Sequence, residues 1–208
     1  MINIFKGIAV GLISTALAGS AAAHHVMGGQ LPATFVQGLL SGLGHPVIGL
    51  DHLAAMVAVG CLAAAHRTGP ALAIGFVLAM IAGVAAHVQG STMPGAEILV
   101  ALSVIALGMT MLRRQTMAAG AALTLFALAG VIHGYALGES IYGAEAAPLS
   151  AYLIGLAVIQ SPIVLAAMTL VRVLVKRWDE NLSPLRLLGA GIAGIGLAIL
   201  AQQIVPGA

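Results

Sequence analysis

An all-α, polytopic transmembrane helical bundle, with six spans after a cleavable signal segment, is the fold class this sequence predicts. Three observations predict it. First, the 208 residues are 61% hydrophobic and 7% charged, against roughly 45–50% and about 25% in soluble domains, so the chain cannot cover itself with a wettable surface. Second, the apolar runs are near the ~20 residues that a helix needs to cross a bilayer, too long and uniform for the alternating ~10-residue segments of an outer-membrane barrel. Third, the basic residues fall in short clusters between those runs. That is a topology pattern and not the continuous basic face that nucleic acid requires, so no nucleic-acid partner is expected.

At the start of the chain, Lys6 precedes an apolar stretch from Gly7 to Ala18, and Ala21-Ala22-Ala23 has the A-x-A form of a signal-peptidase site. Residues 1–23 are therefore expected to be removed, leaving a single transmembrane domain over 24–208; an uncleaved first helix is the alternative. Six spans are expected over 46–65, 70–88, 94–112, 117–137, 148–171 and 184–204. Four of them open on or beside a proline, where the missing N–H has no helical partner to lose. Residues 33–43, only moderately apolar, are expected to form a short interfacial or re-entrant helix. The 27 glycines and many alanines suit close helix packing in lipid, where small residues let backbones approach. A single cysteine, Cys61, excludes a disulfide framework or a thiolate metal cluster and is expected in the core.

Charge sets the orientation. Arg67, Arg113, Arg114, Arg172, Lys176, Arg177 and Arg186, all the basic residues after the signal segment, fall on one side of the expected bundle. The positive-inside rule makes that side the cytoplasm of a bacterial inner membrane. Both mature termini then face the periplasm, as an export signal followed by six spans requires.

The other ionisable groups can be placed by depth. His45, Asp51 and His52 lie in the outer part of the first span, His87 at the outer end of the second, Glu97 at the outer end of the third, and His133 and Glu139 in the outer part of the fourth. An ionisable residue at the bilayer centre costs about 2.5–3.5 kcal/mol on insertion scales, so it is a functional candidate by default. Asp51 is the deepest. Imidazole suits nickel, copper and zinc, and a carboxylate adds a hard oxygen and charge compensation, so the pattern points to a divalent transition metal.

On an unbroken helix His45 and His52 stand about 10 Å apart along the axis and could not share one ion. Gly44, Pro46 and Gly49 predict an irregular stretch, tolerated at membrane depth where it lines a cavity, that would bring His45 toward Asp51 and His52. The alternative is a buried Asp51–His52 pair that ties helices together, or Asp51 orienting a histidine from behind. His133-Gly134 through Glu139 repeats the combination of histidine, glycine and carboxylate. Met56 is expected in the core, and His66 is expected to be an interfacial side chain. His24 and His25, at the mature N-terminus, are possible additional ligands through the α-amine and the second-position imidazole; the alternative is a solvated end with no ligand role. Glu145, Asp179 and Glu180 are expected to be solvated loop charges.

His45-Pro46 through Asp51-His52, continuing to Gly60, resembles the signature of the HupE/UreJ family of hydrogenase and urease accessory proteins, regarded as nickel or cobalt permeases. Pro94-Gly95-Ala96-Glu97, the small residues around Ser103 and Gly108, and His133-Gly134 to Glu139 resemble further motifs of that family. The resemblance covers essentially the whole chain. It implies that His45, Asp51 and His52, with Glu97, His133 and Glu139, handle metal. The chain departs from the pattern at Leu137, where members often have a second histidine, and His87 is an addition. The resemblance thus implies a secondary permease for Ni2+ or Co2+, with Zn2+ also compatible. It would carry the ion to the cytoplasm for metalloenzyme maturation, with no prosthetic group and with hydrogenase or urease maturation proteins as possible partners. No ATP-binding Gly-rich loop is present. An intramembrane metal-dependent enzyme is the alternative from another class, although no H-E-x-x-H helix occurs and no enzyme is expected. A non-transporting metal-binding accessory protein is the third possibility.

Overall fold

The structure, a computed structural model, describes residues 30–113, 115–175 and 183–205. The signal segment, its expected cleavage point, His24, His25, Arg114, Lys176, Arg177, Asp179 and Glu180 lie outside the described residues. Seven α-helices make up the described chain: α1 (Phe35–Ile48), α2 (Leu50–Ala63), α3 (Gly69–Val88), α4 (Ala96–Met111), α5 (Ala119–Gly138), α6 (Ala146–Val175) and α7 (Ser183–Ile204). A 3₁₀ turn, Glu139–Ile141, follows α5, and no strand occurs among the described residues.

Among the described residues four segments are long and apolar enough to cross a membrane: Gly69–Val88, Ala119–Ile141, Ala146–Leu174 and Pro184–Ile204. Large apolar side chains such as Leu78, Leu102, Leu128, Val158 and Leu187 face outward, which in water would be an aggregating surface and in lipid is the natural one. The protein is thus a multi-pass α-helical membrane protein.

The beginning of the described chain differs from the expectation. Residues 33–43 are not a helix separate from a span starting at Pro46. Instead α1 starts at a Thr34–Gln37 capping box and runs through Pro46 to Ile48. At Gly49 the axis bends by 74° into α2, and the two short helices together have the length and apolarity of one broken span. Thr34 Oγ1 accepts from the Gln37 N–H (3.2 Å) while Gln37 Oε1 accepts from the Thr34 N–H (3.2 Å), satisfying otherwise orphaned groups at the helix start. The expected third span, 94–112, shortens to the 16 residues of α4, below the ~20 of an untilted crossing.

Short backbone approaches at glycines set the packing. Against α6, Cβ atoms added at Gly38 and Gly42 of α1 would overlap the carbonyls of Pro148 and Tyr152, and further along one added at Gly60 of α2 would stand 2.5 Å from the Val164 carbonyl oxygen. α1 and then α2 therefore run alongside α6 in the same direction. α3 and α5 approach in the same way through Gly83, Gly130 and Gly134, and α4 meets α7 through Gly108, Gly189 and Gly196. α2 contacts every other helix and buries Ala55, Met56, Ala58, Val59 and Ala63 completely. Cys61 and Met56 belong to this core, as the sequence predicts. At the far end of α2, the Arg172 guanidinium of α6 donates from Nε to the Ala64 carbonyl (3.2 Å) and from Nη2 to that of His66 (2.7 Å), closing carbonyls that the end of a helix leaves open.

A buried histidine and carboxylate cluster at a helix break

The break at Gly49 positions the site. α1 ends there and α2 begins, so the negative pole of one short helix and the positive pole of the next meet inside the bundle. Asp51 occupies the first turn of α2, where helix N-termini favour a negative charge, and its Oδ1 accepts from the His52 N–H at 2.8 Å. Gly49 has φ −68° and ψ 105°, which most residues can adopt; its requirement is space. A Cβ there would stand 2.7 Å from His52 Cδ2 and 3.0 Å from Asp51 Oδ1.

Four ionisable side chains gather at this point. His45, Asp51, His52 and His133 have relative exposures of 4%, 4%, 2% and 0%, so each must be satisfied within the protein or by what it binds. The ring centroids of His45 and His52 are 6.0 Å apart, and those of His52 and His133 are 5.1 Å apart. The 74° bend at Gly49, one of the three positions expected to interrupt the helix, brings His45 to His52, while Gly44 and Pro46 stay within α1.

A chain of hydrogen bonds crosses three helices. Ser103 Oγ of α4 donates to the Val100 carbonyl (2.8 Å) and meets His133 Nε2 of α5 at 2.8 Å. His133 Nδ1 meets His52 Nδ1 of α2 at 2.8 Å. With the Ser103 proton on Val100, the uncharged chain puts the His133 proton on Nε2 and the His52 proton on Nδ1. The remaining lone pair of His52, on Nε2, then belongs to the atom 3.9 Å from Asp51 Oδ1. His45 is fixed independently: its Nδ1 lies 3.0 Å from Ser140 Oγ and 3.4 Å from the Tyr152 hydroxyl, and that hydroxyl donates to the Leu137 carbonyl at 2.8 Å.

The other candidates stand apart. Glu97, in the first turn of α4, is half-buried. Glu139 is exposed at the start of the 3₁₀ turn. His87 is half-buried between Tyr135 and Tyr142, with ring centroids at 4.4 and 5.5 Å, and its Nδ1 donates to the Tyr135 carbonyl at 2.9 Å. His66 is half-buried near the opposite end, its carbonyl held by Arg172. Among the described residues no three His, Cys, Asp or Glu side chains stand close enough to hold a metal ion in their present rotamers.

Sequence reasoning passed over four contributors: Ser103, Ser140 and Tyr152 as partners of the histidines, and Gln160. Gln160 is fully buried in α6, with no hydrogen-bond partner for either amide atom among the described residues. A lone glutamine in the apolar run 153–171 is a legible signal, since an unsatisfied buried amide costs roughly 1–3 kcal/mol.

The fold and the cluster define a polytopic helical membrane protein with ionisable side chains buried at a broken span. The family model described as HupE / UreJ protein matches residues 11–199, and the chain belongs to that family. A relative, Protein HupE of Rhizobium leguminosarum bv. viciae, is 35% identical over 104 residues, which is 49% of this chain and 54% of the relative; the chain thus spans about half the length of the curated relative it matches. No solved structure matches it.

Proposed function

We propose that this protein is a secondary permease that carries a divalent transition metal, Ni2+ or Co2+, across a bacterial inner membrane, through the site formed by His45, Asp51, His52 and His133. The observation that carries this reading is the burial of three imidazoles and one carboxylate at a helix break inside the bundle. Such groups are expensive at membrane depth and mark ion pathways. Two imidazoles that share an ion at a metal–nitrogen distance of about 2.0–2.1 Å place their centroids roughly 5–6 Å apart, which is the spacing of His45 to His52 and of His52 to His133. Rotation of side chains, with loss of the His52–His133 hydrogen bond, would converge the donors. A site assembled only when the ion arrives also suits release, because conduction needs binding strong enough to admit the ion and weak enough to let it go.

In this mechanism the ion reaches the end of the bundle that carries the α5–α6 connection, which the basic residues orient toward the periplasm. Asp51 supplies the compensating charge, and the carbonyl end of α1 faces the same break. Ser103 and the Ser140–Tyr152 pair hold the rings in place, as partners behind metal-binding histidines commonly do. Glu97, Glu139 and His87 are assigned to attracting the ion at this end. A membrane potential negative inside favours passage of a divalent cation by roughly 4.6 kcal/mol per 100 mV if both charges cross the whole field. Delivery would serve hydrogenase or urease maturation proteins.

The test is radionickel uptake by cells expressing His45→Ala, Asp51→Asn or His52→Ala, with His66→Ala as control and uptake normalised to protein in the membrane. Each cluster variant should lose most uptake while His66→Ala retains it. Near wild-type uptake in all three would refute the mechanism, and poor accumulation with normal uptake per surviving molecule would identify a purely structural pair.

A further inference from the structure

The buried face of α6 repeats every four residues as Tyr152, Leu156, Gln160, Val164 and Met168. Four of these are accounted for. The backbone at Tyr152 and Leu156 receives Gly42 of α1, and that at Val164 and Met168 receives Gly60 of α2. Gln160 falls between, where the stripe passes from one short helix to the next. It therefore stands between the stretches of α6 that meet α1 and α2, displaced from the His45 partner Tyr152 by about 12 Å along the axis. Arg172, which closes α2 at the opposite end, lies about 18 Å further on. The Gln160 side chain is completely enclosed, yet neither Nε2 nor Oε1 has a partner among the described residues. Native interiors rarely leave such a group unsatisfied, and where they do the site commonly has a functional explanation. No catalytic or packing need recommends an amide here over leucine, which would fill the same space without an orphaned donor and acceptor.

We propose that Gln160 is a second station on the ion's path, taking a partly hydrated divalent cation from the histidine cluster toward the opposite end of the bundle. Its carbonyl oxygen replaces one water of the ion, and its NH2 group turns to an anionic or water oxygen that travels with it. A neutral oxygen donor binds such an ion more weakly than imidazole with carboxylate does, so the ion passes on and does not stay. The proposal rests on the permease reading, and it concerns a step after capture.

The experiment compares wild type with Gln160→Leu in three measurements: thermal melting of the purified full-length chain in detergent, equilibrium binding of Ni2+ to the same sample, and radionickel uptake into vesicles containing known amounts of protein. Gln160→Leu should melt at the wild-type temperature or above and bind Ni2+ within about twofold of wild type, while uptake per molecule falls at least about tenfold. Gln160→Met, unbranched and closer in shape, should behave alike and replaces Gln160→Leu if the latter does not accumulate. Wild-type uptake in either variant overturns the proposal and leaves the permease reading standing. Lower melting together with lost binding in both variants also overturns it, because the amide would then be structural. A wild-type chain that neither binds nor transports Ni2+ refutes the permease reading and this proposal together.

Discussion

Replacing Gly134 with alanine tests whether backbone contact between α3 and α5 holds the cluster in place. An added Cβ would overlap the Met80 carbonyl oxygen and stand 2.6 and 2.7 Å from its carbonyl carbon and Cα. Carbon contacts are comfortable from about 3.5 Å, and backbone atoms cannot swing aside, so the two helices must part by about 1 Å. Overpacking of this kind typically costs 1–3 kcal/mol, and a clash among backbone atoms belongs at the upper end, near ~3 kcal/mol. Alanine returns about 1 kcal/mol over glycine as a helix former. The net loss is then ~2 kcal/mol, or roughly 4–8 °C in melting temperature for a chain of this size. The adjacent His133 keeps two 2.8 Å contacts, to His52 and to Ser103. A displacement of about 1 Å takes them beyond the 2.7–3.2 Å range of a hydrogen bond, so Ni2+ affinity should fall with stability. Gly120→Ala on the same helix is the control, since nothing lies within 4 Å of its added Cβ; it should melt at or slightly above wild type. The assay is loss of the monodisperse detergent-solubilised peak on heating, with Ni2+ binding measured on the same samples. Gly134→Ala melting at or above wild type, or Gly120→Ala falling equally far, would refute the packing argument.

Two further outcomes are expected. Ser103→Ala removes the partner of His133 Nε2 and leaves a buried ring nitrogen unsatisfied, which should cost roughly 1–3 kcal/mol and lower Ni2+ affinity about 10–100-fold; unchanged affinity by equilibrium binding would remove Ser103 from the site. With Cys61 replaced, cysteines at Arg67 and Arg113 should resist an impermeant thiol reagent in intact cells while one at the exposed Glu145 reacts, and labelling at Arg113 from outside would reverse the orientation.

The class of fold was legible because it depends on quantities that are local or summed along the chain. Apolar runs of membrane-spanning length appear as α3, α5, α6 and α7. The three residues of the H-x5-D-H segment were recognisable from rarity alone, because ionisable groups in so apolar a chain are few. Gly44, Pro46 and Gly49 announced an interruption near them. Which of the three would break the helix was undetermined, since a proline near the end of a helix and a glycine between two helices are both locally acceptable. In the folded chain α1 continues through Pro46 and the bend falls at Gly49, beside Asp51 and His52, which leave little room there for a side chain.

Tertiary structure alone decided which ionisable groups meet. His133 and Glu139 are six residues apart in one motif, yet one is fully buried and the other exposed, because the helix turns Glu139 onto another face than His133 and only the packing of the neighbouring helices decides which face is covered. Ser103 lies 30 residues from His133, His133 lies 81 from His52, and Tyr152 lies 107 from His45. Those pairings join helices distant in sequence, and no period or spacing along the chain encodes them. Gln160 shows the same division: its residue type was visible in an apolar run, but only the packing of α1, α2 and α6 leaves its amide without a partner among the described residues and so turns a polar residue into a candidate for the ion's path.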